Sequence, residues 1–271
     1  TILFILLILS NSWCFAQDTS LHDILIDGEN WKPAVSGYAF CDGLAADADG
    51  NLYFSDVKAG KGVYKPGLDG RVTLEIDNQP GISGLRVGAD GRLYACQNKA
   101  QRVIVFGKDG AVKELAANVK CNDVTTTRDG FVYFTETPTK RIHGVTPDGK
   151  TFVADEGHVN RPNGITLSAD GATLAVSDHG GVNVWTWQIQ PDGKLTGAEG
   201  SMTMLLAPLK EKKEALGDGS TTDVKGRYYV TTETGIQVFD ATGRLAGVIA
   251  KPARDSKIVS VQFAGAGHAT L

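Results

Sequence analysis

Apolar and polar positions alternate with period two through short runs, and a Gly-centred turn separates each run from the next. Residues 164–195 show the unit. Gly164-Ile165-Thr166-Leu167 reads as a short strand, Ser168-Ala169-Asp170-Gly171 as a turn, and Thr173-Leu174-Ala175-Val176 as a second strand. Val182-Asn183-Val184-Trp185-Thr186-Trp187 alternates as a third, and Pro191-Asp192-Gly193 turns the chain into a fourth at Lys194-Leu195. Asp-Gly between alternating runs is a hairpin signal, because such turns need the left-handed backbone that Gly tolerates. No stretch carries the 3.6-residue period of a long amphipathic helix.

The unit recurs six times. The turn glycines are Gly50, Gly91, Gly130, Gly171, Gly226 and Gly267, spaced by 41, 39, 41, 55 and 41 residues. A period near 40 with two hairpins in each predicts an all-β chain, a six-bladed β-propeller. The 55-residue gap holds an insertion between Leu195 and Gly217, whose charged run Lys210-Glu211-Lys212-Lys213-Glu214 reads as a solvated loop. Residues 17–271 are expected to form one propeller domain. The sixth repeat stops at Leu271, inside what should be its second strand, so the last blade is expected to be incomplete and the sequence C-terminally truncated. Ile24 to Gly37 is the segment expected to lend that blade an outer strand.

Counting back eight residues from each turn glycine reaches Asp42, Ser83, Asn122, Asn163, Asp218 and Val259. Equal offsets mean equal heights on the first strand of each blade, which lines the central channel. Four Asp or Asn side chains should therefore gather at one mouth. The second strands end at the same mouth with Asp56, Gln97, Glu136, Asp178 and Thr232. Oxygen donors without His or Cys suit Ca²⁺, Mg²⁺ or Mn²⁺ better than a tetrahedral zinc site. Asp42-Gly43, Asn163-Gly164 and Asp218-Gly219 are also turn dipeptides and could be bends entering a strand; spacing alone leaves both readings open. In the outer set, Asp56 and Asp178 read as loop caps, and Glu136 as the residue expected to meet a substrate.

Composition narrows the chemistry. A net charge of −4 with scattered Lys and Arg argues against a nucleic-acid surface. Residues 1–16, apolar through Leu9 and ending Cys14-Phe15-Ala16, read as a secretory signal peptide, which implies a secreted or periplasmic protein. No other stretch is apolar and long enough to span a membrane. Cys41, Cys96 and Cys121 remain, an odd number that favours buried free thiols over a disulfide framework. No Gly-x-Ser-x-Gly elbow is present. The five histidines show no metal-ligand spacing, and His158 and His179, which flank the Asn163 strand, are expected to be structural. Gly180-Gly181 lacks the strand–helix context of a phosphate loop.

Several segments carry a resemblance. Arg161-Pro162-Asn163-Gly164-Ile165, Ser168-Ala169-Asp170-Gly171-Ala172-Thr173-Leu174-Ala175-Val176-Ser177-Asp178, Cys121-Asn122-Asp123, Gly217-Asp218-Gly219 and Gly235-Ile236-Gln237-Val238-Phe239-Asp240 resemble the SMP-30/gluconolactonase/LRE-like propellers, from about Ala39 to Leu271. The resemblance implies a hydrolase of sugar lactones that uses one divalent cation, Ca²⁺ first, with Zn²⁺, Mg²⁺ or Mn²⁺ as alternatives. It places Asn163 and Asp218 among the metal ligands and Asp218 as the proton acceptor. Asn122 and Lys120 would orient the substrate, a small lactone; Lys120 stands where Arg is common. The family's Glu ligand matches Asp42 in Phe40-Cys41-Asp42-Gly43-Leu44, a side chain shorter by one methylene. A non-catalytic sugar- or protein-binding propeller, and a metal-dependent esterase, remain the alternatives. The oligomeric state is not legible.

Overall fold

A computed structural model describes residues 21–67, 69–107, 109–207, 211 and 213–271. The signal-peptide reading of residues 1–16, and Lys210 and Lys212 of the charged run, lie outside the described residues.

Among the described residues, twenty strands make five four-stranded antiparallel sheets, each ordered from the channel outward as the chain runs. The first comprises β1 (Cys41–Ala46), β2 (Leu52–Asp56), β3 (Val63–Pro66) and β4 (Val72–Ile76). The second comprises β5 (Ile82–Val87), β6 (Leu93–Gln97), β7 (Arg102–Phe106) and β8 (Val112–Ala117). The third is β9 (Val124–Thr126), β10 (Val132–Glu136), β11 (Arg141–Val145) and β12 (Thr151–Glu156). The fourth is β13 (Pro162–Leu167), β14 (Thr173–Asp178), β15 (Asn183–Ile189) and β16 (Leu195–Thr203). The fifth is β17 (Ser220–Thr222), β18 (Tyr228–Thr232), β19 (Gly235–Phe239) and β20 (Leu245–Ala250). The six turn glycines all take positive φ, between +64° and +89°. That conformation excludes most side chains, and it is why the repeat is so visible in the sequence.

The core lies between sheets. Successive side chains of a strand point to opposite faces. On β6, Ala95 therefore packs with Ala45 and Val63 of the first sheet, while Tyr94 and Cys96 pack with Val124, Val132 and Phe134 of the third. The fourth sheet does the same: Leu174, Val176 and Trp187 meet Tyr133 and Ile142, while Ala175, Val184 and Met202 meet Tyr228 and Phe239. The second strand of a blade is covered on both faces, so β10 is buried throughout, whereas the outermost β12 is half exposed. Each large apolar side chain so buried contributes about 1.5–3 kcal/mol.

The expectation of six blades is corrected to five. The sixth repeat, from Ile258 onward, forms a single isolated bridge, Ala264 to Thr270, and no sheet. It holds residues for one hairpin, and a blade needs two. It packs nonetheless: Val261 is buried against the fifth sheet, and Phe263 meets Tyr229 edge-on at 5.0 Å. Gly265 N donates to Gly50 O at 2.8 Å, joining the last turn to the first. Ile24 to Gly37 forms no strand either. Instead the 3₁₀ turn Leu21–Asp23 sets Leu21 against Gly247 of β20, and Trp31 Nε1 donates to Ala250 O at 2.8 Å. The segment braces the fifth sheet through side chains.

Candidate active site

Three local devices aim side chains at the narrow channel mouth. The first is a bulge. Strand register slips between Cys41 and Leu44, between Ile82 and Gly84, and between Pro162 and Ile165, which puts Asp42, Ser83 and Asn163 at the irregularity. A bulge bends its strand and re-aims a side chain. The second device is the following glycine. A Cβ on Gly164 would lie 2.2 Å from Asp218 O of the next blade, so only Gly lets the two inner strands approach. Gly43, Gly84 and Gly219 stand at equivalent contacts, without positive φ, so these Asp-Gly and Asn-Gly pairs are not turns. Close approach, not bending, explains the dipeptides.

The third device is a hydroxyl stitch between blades. Ser55 Oγ donates to Ile82 O at 2.8 Å, Ser83 Oγ to Asn122 O at 2.7 Å, Thr135 Oγ1 to Asn163 O at 2.6 Å and Ser177 Oγ to Asp218 O at 2.7 Å. Buried hydroxyls satisfy these carbonyls. The backbone at Asn122, Asn163 and Asp218 is thus tied to the blade before it.

The result is one small cavity lined by Asp42, Ser83, Asn122, Asp123, Asn163, Asp218, Gly219 and Ser260. Its volume is about 10 Å³, room for one water molecule or one bare cation. Asp42, Asn163 and Asp218, from the first, fourth and fifth blades, therefore line one cavity, with Asn122 beside them. Asp218 keeps 19 % of its side chain open to the mouth. Ser83 lines the cavity but spends its hydroxyl on the stitch, and Val259, the sixth ring position, serves through its carbonyl, which accepts from Gly219 N at 2.8 Å.

Asp123 and Ser260 were not expected here. Each stands one residue after a ring position, where the other four blades carry Gly. A polar side chain at the glycine position was the available signal: the next blade blocks it, so it turns along the cavity. Asp123 Oδ2 accepts from Ile165 N at 3.1 Å and Oδ1 from Val124 N at 2.8 Å.

Three carboxyl groups thus crowd one small, closed space. Burial, then the charges of Asp218 and Asp123, push Asp42 well above the usual carboxylate range. Burial and Asp123 lift Asp218 to about 7, against hydrogen bonds from Gly219 N and the Asn163 amide. Burial raises Asp123 to about 6, opposed by the Arg86 charge and by its two backbone donors. Like charges held this close favour a proton or a cation as guest. Asn163 Nδ2 lies 3.3 Å from His179 Nδ1 and also serves Asp218, which turns its amide oxygen toward the cavity. His179, expected to be structural, stands at the edge of the site, with Nδ1 3.9 Å from Asp218 Oδ2. Burial and Arg161 lower its pKa, so the ring is neutral.

Among the described residues no three His, Cys, Asp or Glu side chains form a ready-made metal cage. The donors here are mixed, carboxylates with amides. Their all-oxygen chemistry, net charge and ion-sized cavity fit a hard divalent cation.

The outer set is placed differently. Asp56 accepts from Ala39 N at 2.8 Å and Phe40 N at 3.0 Å, and Asp178 from Asn160 N at 3.1 Å and Arg161 N at 2.9 Å, as loop caps should. Glu136, expected to meet substrate, is used in the same way. Its Oε1 accepts from Lys120 N at 2.9 Å, and its Oε2 contacts Thr139 Oγ1 at 2.6 Å and His143 Nε2 at 3.0 Å. It is 7 % exposed and outside the cavity lining, and these bonds clasp the loop that carries Lys120 and Asn122. Lys120 itself is exposed, two residues before Asn122. Cys96 and Cys121 are buried free thiols, and Cys41 is half-buried.

Known proteins share this arrangement to different degrees. The chain is 27 % identical over 201 residues to a gluconolactonase from Zymomonas mobilis, covering 63 % of this chain and 54 % of that one. It spans little more than half the length of the curated relatives it matches. A gluconolactonase from Xanthomonas campestris superposes with a TM-score of 0.72 at 24 % identity, over 85 % of this chain and 81 % of the other. A calcium-binding regucalcin from Agrobacterium tumefaciens gives 0.67 at 18 % identity, over 86 % and 81 %. At these identities the superpositions establish the β-propeller fold. The model of the SMP-30/Gluconolactonase/LRE-like region matches residues 40–271, most of the sequence, and the chain belongs to that family.

Proposed function

We propose that the narrow mouth hydrolyses a sugar-type lactone with the help of one divalent cation, Ca²⁺ foremost. The observation that carries this reading is the convergence of Asp42, Asn163 and Asp218 on one ion-sized cavity. These three residues would hold the cation, which when bound polarises a lactone carbonyl and acidifies a water molecule. Asp218, with its surface open toward the mouth, takes the proton of the attacking water; positioned proton transfer contributes roughly 10²–10⁴ in rate. Asn122 lines the same cavity with a free amide, and its N–H donates to the oxygen on which negative charge develops. Lys120, exposed beside it, meets polar groups of the substrate outside the cavity. His179 Nδ1 stands between the Asn163 amide at 3.3 Å and Gly217 O at 3.2 Å, accepting from the first when the proton is on Nε2 and donating to the second when it is on Nδ1.

The names and partial coverage of the relatives support this reading, as does the calcium-binding neighbour. The test is a panel of aldonolactones and simple esters with wild type, Asp218→Ala and Asn163→Ala, with Ca²⁺ and with chelator. The expected outcome is lactone turnover that falls at least about 100-fold in either variant and in chelator. Full activity in the variants, or undiminished activity in excess chelator, overturns the mechanism. Cation binding without turnover of any lactone or ester makes the propeller a binding module instead.

A further inference from the structure

The inner strands all point the same way, so their C-terminal ends form a second, opposite mouth. There a wider cavity of about 310 Å³ is lined by Arg86, Thr125, Thr126, Thr166, Ser168 and Thr222, among others. That volume is at the small end of the range for small-molecule sites, about 300–1,000 Å³. Its polar lining combines hydroxyl groups from three blades with one guanidinium, beside the apolar Leu167, Ala169 and Val224. Arg86, near the end of β5, reaches across the channel to Ile165 O at 3.3 Å and Gln262 Oε1 at 3.2 Å. A guanidinium carries five N–H groups, and these two long bonds leave most of them unspent. Its Nε–H and the Oγ1 of Thr222 are shut from solvent and have no partner among the described residues.

The acidic residue on this side does not compete. Asp223 also lines the cavity, but its Oδ1 accepts from Lys225 N at 2.9 Å and Arg227 N at 3.0 Å, and its Oδ2 accepts from Arg227 Nε and Tyr229 OH. Its charge is spent inside its own turn. Asp123 lies toward the narrow mouth, so Arg86 stands between the acidic cavity on one side and the hydroxyl-lined cavity on the other.

The geometry points to a second ligand site at the wide mouth, for a small polyhydroxylated carboxylate whose carboxylate pairs with Arg86 and whose hydroxyls meet the Thr side chains. A guanidinium prefers planar, bidentate oxyanions, and the surrounding hydroxyls both donate and accept, as a polyol requires. The site needs neither the cation nor the chemistry of the opposite mouth.

Isothermal titration calorimetry tests it, with sodium gluconate and its uncharged analogue sorbitol as probes, all in chelator. Gluconate should bind the wild-type chain at least 10-fold more tightly than sorbitol. Val224, 96 % exposed on the rim, accepts a charge without disturbing the fold. Val224→Glu should weaken gluconate binding several-fold and Val224→Lys should not. Arg86→Gln should weaken it at least 10-fold. Asp218→Asn, at the narrow mouth, should leave it unchanged. The proposal fails if gluconate does not bind, if sorbitol binds equally well, or if Asp218→Asn abolishes binding while Val224→Glu does not. Because no turnover is measured and no cation is present, failure here is distinct from failure of the lactonase reading.

Discussion

Thr135→Val removes one hydroxyl and keeps the side chain's shape. Thr135 is 0 % exposed. Its Oγ1 donates to Asn163 O at 2.6 Å and accepts from Asp123 N at 3.1 Å, so one atom ties together two blades and two cavity residues. The valine leaves a buried carbonyl and a buried N–H without partners. Each orphan costs about 1–3 kcal/mol, offset in part because a methyl group is cheaper to bury than a hydroxyl. A net loss of about 2–4 kcal/mol is expected. Urea unfolding in chelator at pH 7 measures it, with an unchanged m-value as the sign that stability alone has moved. Thr135→Ser, which keeps the hydroxyl, should lose less than about 1.5 kcal/mol, the cost of a methyl. The same variants titrated with Ca²⁺ should show weaker binding for Val than for Ser, because the Asn163 backbone is no longer held. A valine variant within 0.5 kcal/mol of wild type, or a serine variant as damaged as valine, would refute the claim that hydroxyl stitches position the ring.

Other predictions concern charge. The folded-state pKa of Asp218 is raised from 3.8 to about 7, so its favourable contribution is present at pH below 3.8 and is lost as pH rises through 7. Asp218→Asn should therefore stabilise the metal-free chain at pH 8, by up to about 4 kcal/mol at 1.36 kcal/mol per pH unit, and do little at pH 4; thermal unfolding in chelator at both pH values checks this. Glu136→Gln separates a loop clasp from a substrate contact. Burial works against the Glu136 charge, but hydrogen bonds from Thr139, Lys120 N and His143 outweigh it and lower its pKa, so its contribution is present at neutral pH and is lost as pH falls below the usual range. The glutamine variant should lose about 1–2 kcal/mol at pH 7 with the KM for any turned-over lactone unchanged, whereas a raised KM with full stability restores the substrate-contact reading.

The structure departs from the sequence reading in instructive places. Glu136 ends its strand as Asp56 and Asp178 do, and its carboxylate clasps a loop as theirs do. Asp123 and Ser260 occupy the one position per blade where backbones nearly touch, and that contact lies between residues about 40 apart. Counting along the sequence locates Gly164 beside Asn163; nothing local shows that its missing side chain makes room for Asp218 O, 2.2 Å from where a Cβ would be. The sequence reading expected six blades with the last incomplete; the described residues form five sheets, and around Gly267 only the bridge between Ala264 and Thr270 pairs.

What the sequence determined by itself is whatever short-range sterics control. The turns lie where glycine permits positive φ, the strands where apolar residues alternate, and the ring positions at a constant offset, because equal numbers of residues climb equal distances along equivalent strands. Only the tertiary structure decided which of those oxygens share a cavity, which are consumed as clasps, and where the buried charges push one another's protonation. Those outcomes depend on separations of a few ångströms between blades, and no local preference of the chain encodes them.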